Sequence, residues 1–559
     1  MSKPSLTRQL TSNLVLHESS TNSKRNLILS ILRSTTTKRE TKNYLNKYRN
    51  QFRYNDSSAP DKDMQRSIFI NRFLQQKNPF TNIYDEEEKK LQKIPLRIAI
   101  FKLKFSNVDP QNWAGIQETF KRLINLGASP IIVMDHDDEL INDFKLNEFA
   151  LINQGNRLLN SLKEINPRLI RTLFYRSEKG EMKINSLEQI LIPMYQGFVP
   201  IIQPIVFDSL SSNQQFLKSD ELLLSLCKSV LSANQDDMLS IEKVVFVDKH
   251  GGIPSIERNQ TSHVFINLSQ EYSDIISELY IGFLEPSLRD LHIENLKSID
   301  KLLTAIHDIT GNDETTGIIT TPGIISINND QLNPIIYNVL TDRPIISSSL
   351  PSSFKRTPQL STSILKKGID VEVLEPRNYP KEFTLENLIN DNLVDKGKFF
   401  HLIEDSFGKP LDIDAYIKRI NKTITTIIIV GDYDGGAVIT NETSDGKTVP
   451  YLDKFAVAKK NQGLPGLADI IFKLIVQSNP DELIWRSRKN NPINKWYFER
   501  CVGSAAKAGS KWKLFYTGDI FNKSVQLKKK RDSININEKM KTYSSICESI
   551  PPSFTEPTK

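Results

Sequence analysis

The sequence predicts an α/β protein in two parts. From Leu96 to Ile346, short apolar strands alternate with helical stretches, the pattern of a mostly parallel sheet with helices on both faces. Ser347 to Pro358 is rich in Ser and Pro and reads as a linker. Beyond it the order becomes strand, hairpin, strand, glycine-bearing loop, helix, strand, helix, strand, which is a different pattern. At 559 residues the chain is too long for one core, so two or three domains are expected.

Taken in order, Met1 to Arg39 holds seven Lys/Arg and one acid, Glu18, among many Ser and Thr. That is the composition of a mitochondrial presequence. Thr41 to Phe52 has a helical stripe of Tyr44, Leu45, Tyr48 and Phe52, and Asn55 to Asp63 is a polar linker. Strands are expected at Leu96–Phe105, Pro130–Met134, within Phe198–Phe207, and at Val244–Asp248, Val264–Asn267 and Thr316–Thr321. Helices are expected at Trp113–Leu126, Phe144–Leu162, Ser219–Leu231, Ile299–Ile309 and Leu332–Leu340. After the linker, Phe383–Asn392, Gly397–Phe407 and Asp412–Ile420 read as helices. Thr423–Val430, Ala437–Thr440, Tyr451–Ala458, Glu482–Arg488 and Lys511–Tyr516 read as strands, with helix Leu467–Gln477 among them. The stretch 531–559 reads as a polar tail.

Composition narrows the function classes. The net charge of +7 is mild and partly local to the leader, which argues against a nucleic-acid partner. No run of about 18 apolar residues exists to span a membrane. Cys227, Cys501 and Cys547 are far apart and the histidines are scattered, so no metal site is implied and a reducing compartment is expected.

Two stretches carry chemistry. The first is Trp485 to Arg500, WRSRKNNPINKWYFER. Arg486 and Arg488, two apart on a strand, point to one face and form a candidate carboxylate clamp. Pro492 should end the strand near Asn491, and Asn494 should cap a short helix carrying Trp496 and Tyr497. The second is Gln462-Gly-Leu-Pro-Gly-Leu-Ala468, between a strand and an amphipathic helix. Such a loop turns backbone N–H groups toward one point, which suits a pyrophosphate. Cys501 reads as a packing residue, since nothing in the sequence lowers its pKa.

The element order of the second part resembles the Gcn5-related N-acetyltransferases, whose loop holds the pyrophosphate of acyl-coenzyme A. Their pattern is Q/R-x-x-G-x-G/A. Here Gly466 and Ala468 fit it, Gly463 stands where Gln or Arg is expected, and Gln462 lies one place early. Tyr451-Leu-Asp-Lys-Phe455, this loop, WRSRKNNPINKWYFER and Trp512-Lys-Leu-Phe-Tyr516 resemble the acetyltransferase domain of the N-acetylglutamate synthases. Residues 90–345 more loosely resemble the amino-acid-kinase fold these enzymes carry in front.

The resemblance implies a three-layer amino-acid-kinase-like regulatory domain at 60–350 and a GNAT acetyltransferase domain at 365–530, behind a transit peptide at 1–39. It implies acetyl-CoA as co-substrate, L-glutamate as acceptor and the first step of arginine biosynthesis in the mitochondrial matrix. L-Arginine is then the feedback inhibitor, N-acetylglutamate kinase a partner, and a homo-oligomer the assembly. Lys409, Lys454, Arg486 and Arg488 would hold the acceptor carboxylates, Phe455 and Trp496 would wall the pocket, and Gln462, Gly463, Gly466 and Ala468 would hold the cofactor. Tyr497 would be the acid for the departing thiolate, with Asn491 beside it. Strand Leu96–Phe105 runs into Ser106-Asn-Val-Asp-Pro110 without a glycine pair, so phosphoryl transfer looks lost from the front domain. The competing readings are an N-acetylglutamate kinase and a non-catalytic, arginine-sensing subunit of that kinase.

Overall fold

The computed structural model describes residues 96–554, apart from 126, 136–143, 209–212, 217, 235–238, 257, 259–260, 328–332, 351–359, 464–465, 508 and 522–535. The presequence and the Tyr44–Phe52 stripe lie outside the described residues. The chain divides into two compact units, which meet in sequence near Gly368/Ile369.

The first unit is built on a sheet of eight strands. In chain order its main elements are β1 (Leu96–Lys104), α1 (Trp113–Asn125), β2 (Ala128–Asp135), α2 (Phe144–Ser161), β3 (Pro167–Ile170), β4 (Phe174–Arg176), β5 (Met182–Ile184), α3 (Glu188–Tyr195), β6 (Val199–Ile202), β7 (Ile205–Asp208), β8 (Gln214–Phe216), α4 (Ser219–Ser232), β9 (Leu239–Val247), β10 (Phe265–Asn267), α5 (Leu268–Tyr280), α6 (Pro286–Thr310), β11 (Thr316–Thr320), α7 (Pro322–Ile325), α8 (Pro334–Thr341) and β12 (Ser363–Lys366). The sheet order is β10-β12-β11-β9-β1-β2-β6-β3, and every pairing is parallel except β11 with β12. Strands β4, β5, β7 and β8 make a small second sheet.

The apolar runs are continuous because both faces of the large sheet are covered. On β1, Ile98 and Ile100 enter one core while Ala99, Phe101 and Leu103 enter the other. Strand β9 divides the same way, with Val244 and Phe246 on one side and Val245 and Val247 on the other. The expected strand material at Phe198–Phe207 is cut in two at Gln203-Pro204, and α6 begins thirteen residues before the expected Ile299. Pro286 at the first helical position starts that helix, and Gly311 in the left-handed region ends it.

A charged side chain is buried among the polar groups of this unit. Lys243 on β9 is 1% exposed; its ammonium pairs with Asp342 at the end of α8 and donates to Thr316 Oγ1 at 3.2 Å.

The second unit continues with β13 (Val371–Leu374), α9 (Leu385–Asn390), α10 (Lys396–Phe407), α11 (Ile413–Ile420), β14 (Ile424–Val430), β15 (Gly435–Ser444), β16 (Lys447–Val457), α12 (Leu467–Ser478), β17 (Leu483–Arg488), α13 (Asn494–Arg500), β18 (Gly503–Ala505), β19 (Trp512–Thr517) and α14 (Ile536–Ser549). Its seven strands run β13-β14-β15-β16-β17-β19-β18, antiparallel throughout except for β16 beside β17. One face packs α12 and α13 through Phe472, Trp485, Trp496, Tyr497 and Phe515. Helices α9, α10 and α11 cover another core around Phe399, Phe400, Tyr416 and Ile427.

The expected polar tail requires correction. Helix α14 packs Tyr543, Ile546 and Cys547 into a core with Tyr451, Ile484 and Leu514. Tyr543 is fully buried and its hydroxyl is hydrogen-bonded to the Glu482 carboxylate. Among the described residues no helix is long and apolar enough to cross a membrane.

Removing one partner of a buried pair strands the other as an uncompensated charge, a cost of about 3 kcal/mol or more. Asp342→Ala should therefore lower the unfolding free energy measured in urea by about that amount. Adding Lys243→Met should restore most of it, because the charge leaves with the lysine.

Candidate active site

Strand β16 carries the irregularity that opens the site. Val438 of β15 faces Lys454 and Ile439 faces Leu452, so Asp453 is an extra, unpaired residue, a β-bulge. On the other side β16 pairs with β17 at one position only, Tyr451 with Ile484. Past the bulge the two parallel strands diverge. Ala458 N–H donates to Asp434 C=O on the β15 side at 2.9 Å, whereas Val457 N–H donates to Ser406 Oγ at 3.0 Å. By the two-residue period of a strand, Phe455 N–H faces the same way as Val457, into the gap between β16 and β17.

The gap has an aromatic wall. Phe455 stacks on Trp496 with ring centres 5.6 Å apart, and Tyr497 lies 6.5 Å from Phe455, 5.6 Å from Trp485 and 5.4 Å from Phe515. Burial pushes the Tyr497 phenol well above its ordinary pKa, so it holds its proton at neutral pH. Burial likewise raises the Cys501 thiol to about 11, which leaves it protonated and inert, the packing role read from the sequence.

Below the gap lies the glycine loop. Gly463 and Gly466 both have positive φ, 86° and 91°, a conformation that a side chain resists. Gly466 is the N-cap of α12, and the first bond of that helix is Ile470 N–H to Gly466 C=O at 2.8 Å. The N–H groups of Leu467, Ala468 and Asp469 precede the ladder and point out of the helix end, where the dipole favours an anion. The Gln462 amide instead ties the loop down, donating to Val457 C=O at 2.9 Å and Ser406 C=O at 3.3 Å. Its side chain shapes the loop rather than facing a ligand.

The cationic residues divide into two groups. Arg488 is exposed, lies 5.9 Å from the Trp512 ring, and makes no ion pair among the described residues. Lys409, half-buried, follows the Gly408 cap of α10. Arg486 and Lys454 are more committed. The Arg486 guanidinium donates through Nη1 to the carbonyls of Cys547 and Ile550, and through Nη2 to Pro551 C=O at 3.2 Å. Trp512 covers its face at 4.1 Å. Arg486 therefore closes the end of α14, and the two-arginine clamp read from the strand pattern is occupied on one side. Its Nε and one Nη2 hydrogen have no partner among the described residues.

Lys454 is 6% exposed and sits over the Tyr416 ring at 4.5 Å. It donates to Asp453 at 2.7 Å and to Ser553 Oγ at 3.2 Å. Neighbouring side chains on a regular strand point to opposite faces; the bulge lets Asp453 and Lys454 meet. Burial lowers the Lys454 pKa, Asp453 opposes that shift, and Arg419 and Arg486 add to it. Asp453 also accepts from Arg419 and from the Tyr416 hydroxyl at 2.8 Å. Burial pushes the Asp453 carboxyl upward, but Lys454, Arg419 and Tyr416 outweigh it and bring its pKa down to about 2.

Two further expectations change. Asn491 spends its side chain locally: Nδ2 donates to Ser487 Oγ at 3.0 Å and Oδ1 accepts Ile493 N–H at 3.2 Å, fixing the turn into α13. Asn494 is not the cap but the first helical residue; its amide donates back to Arg488 C=O at 2.8 Å, and Ile493 stands at the N-cap position without a side-chain hydrogen bond. Sequence reasoning missed Asp453, Arg419 and Tyr416. It also missed Arg500, which is 3% exposed, stacks on Trp496 at 3.8 Å and joins Asp469 at the start of α12 to Ser347 and Ser349. An acid directly beside a lysine on a predicted strand was the available signal for Asp453.

A bulged strand splayed from its parallel neighbour, with N–H groups facing the gap and a glycine-led helix below, defines an N-acetyltransferase of the Gcn5-related class. A family model for the N-acetyltransferase of N-acetylglutamate synthase matches residues 384–546. The amino-acid acetyltransferase, mitochondrial, of Debaryomyces hansenii is 59% identical over 98% of this chain and 99% of its own. That of Candida albicans is 58% identical over the same shares. A solved structure, N-acetylglutamate synthase from Neisseria gonorrhoeae complexed with coenzyme A and N-acetyl-glutamate, covers 75% of this chain and 94% of its own at 11% identity, with a TM-score of 0.43, too loose to carry an argument. The chain belongs to the mitochondrial amino-acid acetyltransferase family.

Asp453 predicts an acid-sensitive site. Its folded pKa lies below the ordinary 3.8, so it stabilises the fold above that value and loses the contribution as pH falls from about 3.8 through about 2. The stability difference between the natural protein and Asp453→Asn, measured by urea unfolding, should be large at pH 6 and shrink by about 2 kcal/mol across that window.

Proposed function

We propose that this chain transfers the acetyl group of acetyl-CoA to the amine of L-glutamate, the first step of arginine biosynthesis, in the mitochondrial matrix. The observation that carries the reading is the gap between β16 and β17, with the glycine-capped end of α12 below it and cationic side chains around it. The relatives' name, amino-acid acetyltransferase, mitochondrial, supports the reaction class and the compartment.

The pyrophosphate of acetyl-CoA sits on the free N–H groups that start α12, with Gly463, Gly466 and Ala468 giving the close approach. The thioester enters the gap, and Phe455 N–H polarises its carbonyl as negative charge develops on the oxygen. The neutral glutamate amine attacks the carbonyl carbon directly, with no acyl-enzyme. As the C–S bond breaks, Tyr497 gives its proton to the leaving thiolate, and the proton released from the nitrogen as the amide forms restores the phenol. Arg488 and Lys409 hold glutamate carboxylates, joined by the free edge of Arg486 and by Lys454. Phe455 and Trp496 wall the pocket, and Asn491 holds the turn that presents Tyr497.

The reading places the catalytic domain at about 365–530, extended by α14, and a regulatory domain at about 60–350. The latter binds L-arginine as feedback inhibitor and supports a homo-oligomer and a contact with N-acetylglutamate kinase. In the first unit, β1 runs into a short 3-10 turn at Phe105–Asn107 that contains no glycine, which argues against phosphoryl transfer there.

CoA thiol release by protein lacking the leader should require glutamate and fall when arginine is added; release with no amino acid tested would overturn the reading. Tyr497→Phe should lower kcat by about 100-fold or more with little change in glutamate KM. Arg488→Ala should raise glutamate KM by about tenfold or more. Gly466→Ala, forced into a left-handed conformation, should raise acetyl-CoA KM several-fold and spare glutamate.

A further inference from the structure

We infer that residues Cys547–Phe554 belong to the acceptor side of the active site, where they position Lys454 and Arg486. The inference rests on the reading above, in which these two cations meet glutamate carboxylates. The stretch leaves α14 and crosses the second unit to α10 and α11. At its start, the Cys547, Ile550 and Pro551 carbonyls hold one edge of the Arg486 guanidinium while Trp512 holds its face. At its end, Ser553 Oγ accepts from Lys454, and the Phe554 ring lies 5.6 Å from that ammonium.

Helix capping accounts for the Arg486 contacts with Cys547 and Ile550. It does not account for Ser553 and Phe554, which lie past the helix end and still close on Lys454. These two residues are themselves pinned. Asp412 N–H donates to Ser553 C=O at 3.3 Å, Leu411 and Phe554 form an isolated β-bridge, and the Phe554 ring packs on Phe407 at 4.8 Å. Lys409, another residue assigned to the carboxylates, lies between Phe407 and Leu411 in sequence. The strap thus touches or brackets three of the four assigned cations.

An ammonium has three hydrogens. Asp453 takes one and Ser553 a second, which aims the third. Without Ser553 and Phe554, Lys454 would pivot on Asp453 and be hydrated on the side now covered. The order needed to meet a carboxylate would then be supplied at the moment of binding, as a loss of acceptor affinity.

The test uses the full chain beside four variants: a chain ending at Pro552, a chain ending at Phe554, Ser553→Ala and Ser553→Thr. Ending at Pro552 and Ser553→Ala should each raise glutamate KM, the truncation by about tenfold. Acetyl-CoA KM and kcat should stay within about twofold, which also reports an intact fold. Ser553→Thr, which keeps the hydroxyl, and the chain ending at Phe554 should resemble the full chain. In a Lys454→Met background, ending at Pro552 should add nothing further. Unchanged or lowered glutamate KM in both the truncation and Ser553→Ala would overturn the inference while leaving the site reading in place. A normal glutamate KM in Lys454→Met would instead remove Lys454 from the acceptor site, and the inference with it.

Discussion

The second unit depends on one extra residue. Asp453 bulges β16, and the bulge has two consequences that a regular strand could not provide together. It turns the strand away from β17, so that the Phe455 N–H faces the gap rather than the neighbouring strand. It also brings an acid and the lysine next to it to the same side, where burial would otherwise exclude both. The carboxylate is stable there because Arg419, Lys454 and Tyr416 supply its hydrogen bonds. Opening the sheet and burying the charge are one structural event. A strand with unpaired groups is ordinarily a liability, and here the local twist of the bulge keeps the exposure confined to one short gap.

The proposed chemistry suits this setting. Acetyl transfer from a thioester needs no covalent help from the protein if carbonyl and amine are held together and charge on the oxygen is stabilised. A backbone N–H does this without reorganisation, because the sheet has already fixed it. The leaving thiolate needs a proton, and the buried phenol of Tyr497 retains one at any physiological pH. The surrounding rings of Phe455, Trp485, Trp496 and Phe515 serve both parts: they make the site dry enough to strengthen the electrostatics, and they set the phenol's position by packing. The neighbouring Cys501 is a contrast, since burial outweighs the nearby charge of Lys513 and keeps the thiol protonated.

Much of the fold was legible because periodicity reports burial. Within Leu96–Phe105 the run Ile98–Phe101 is apolar without alternation, as a strand covered on both faces must be, and the structure puts successive residues into two cores. The hairpin and the strand–loop–helix order after the linker were equally plain. What stayed hidden was hidden for physical reasons. Helix α14 follows the lysine-rich run 528–531 and is otherwise polar; its buried residues Tyr543, Ile546 and Cys547, with Ile550 just past its end, do fall at helical spacing, a stripe masked by the polar residues around it. The first half of α6 was missed because its surface is charged and only His292, Ile293, Asn295 and Leu296 are buried there. At the site, residue types and strand faces were readable, but hydrogen-bond partners distant in sequence were not. Arg486 does share a face with Arg488, yet its partners lie more than sixty residues away, at the end of a helix the sequence did not reveal.

That division between two arginines on one face bears on how such a site keeps its specificity. Two fully free guanidiniums would hold any dianion and would repel each other when empty. Tying Arg486 to main-chain carbonyls and covering it with Trp512 spreads its charge into fixed dipoles and leaves one edge exposed. Arg488, exposed on the same strand face, keeps its full fork. In the proposed reading an acceptor meets one exposed cation and one fixed edge at the same time, so the separation of its carboxylates is measured against a rigid reference. The rigidity comes from α14, whose packing onto Tyr451 and Ile484 links it to the only point at which β16 and β17 are paired. The place where the strands still hold together is thus also the place from which the far end of the chain fixes the site.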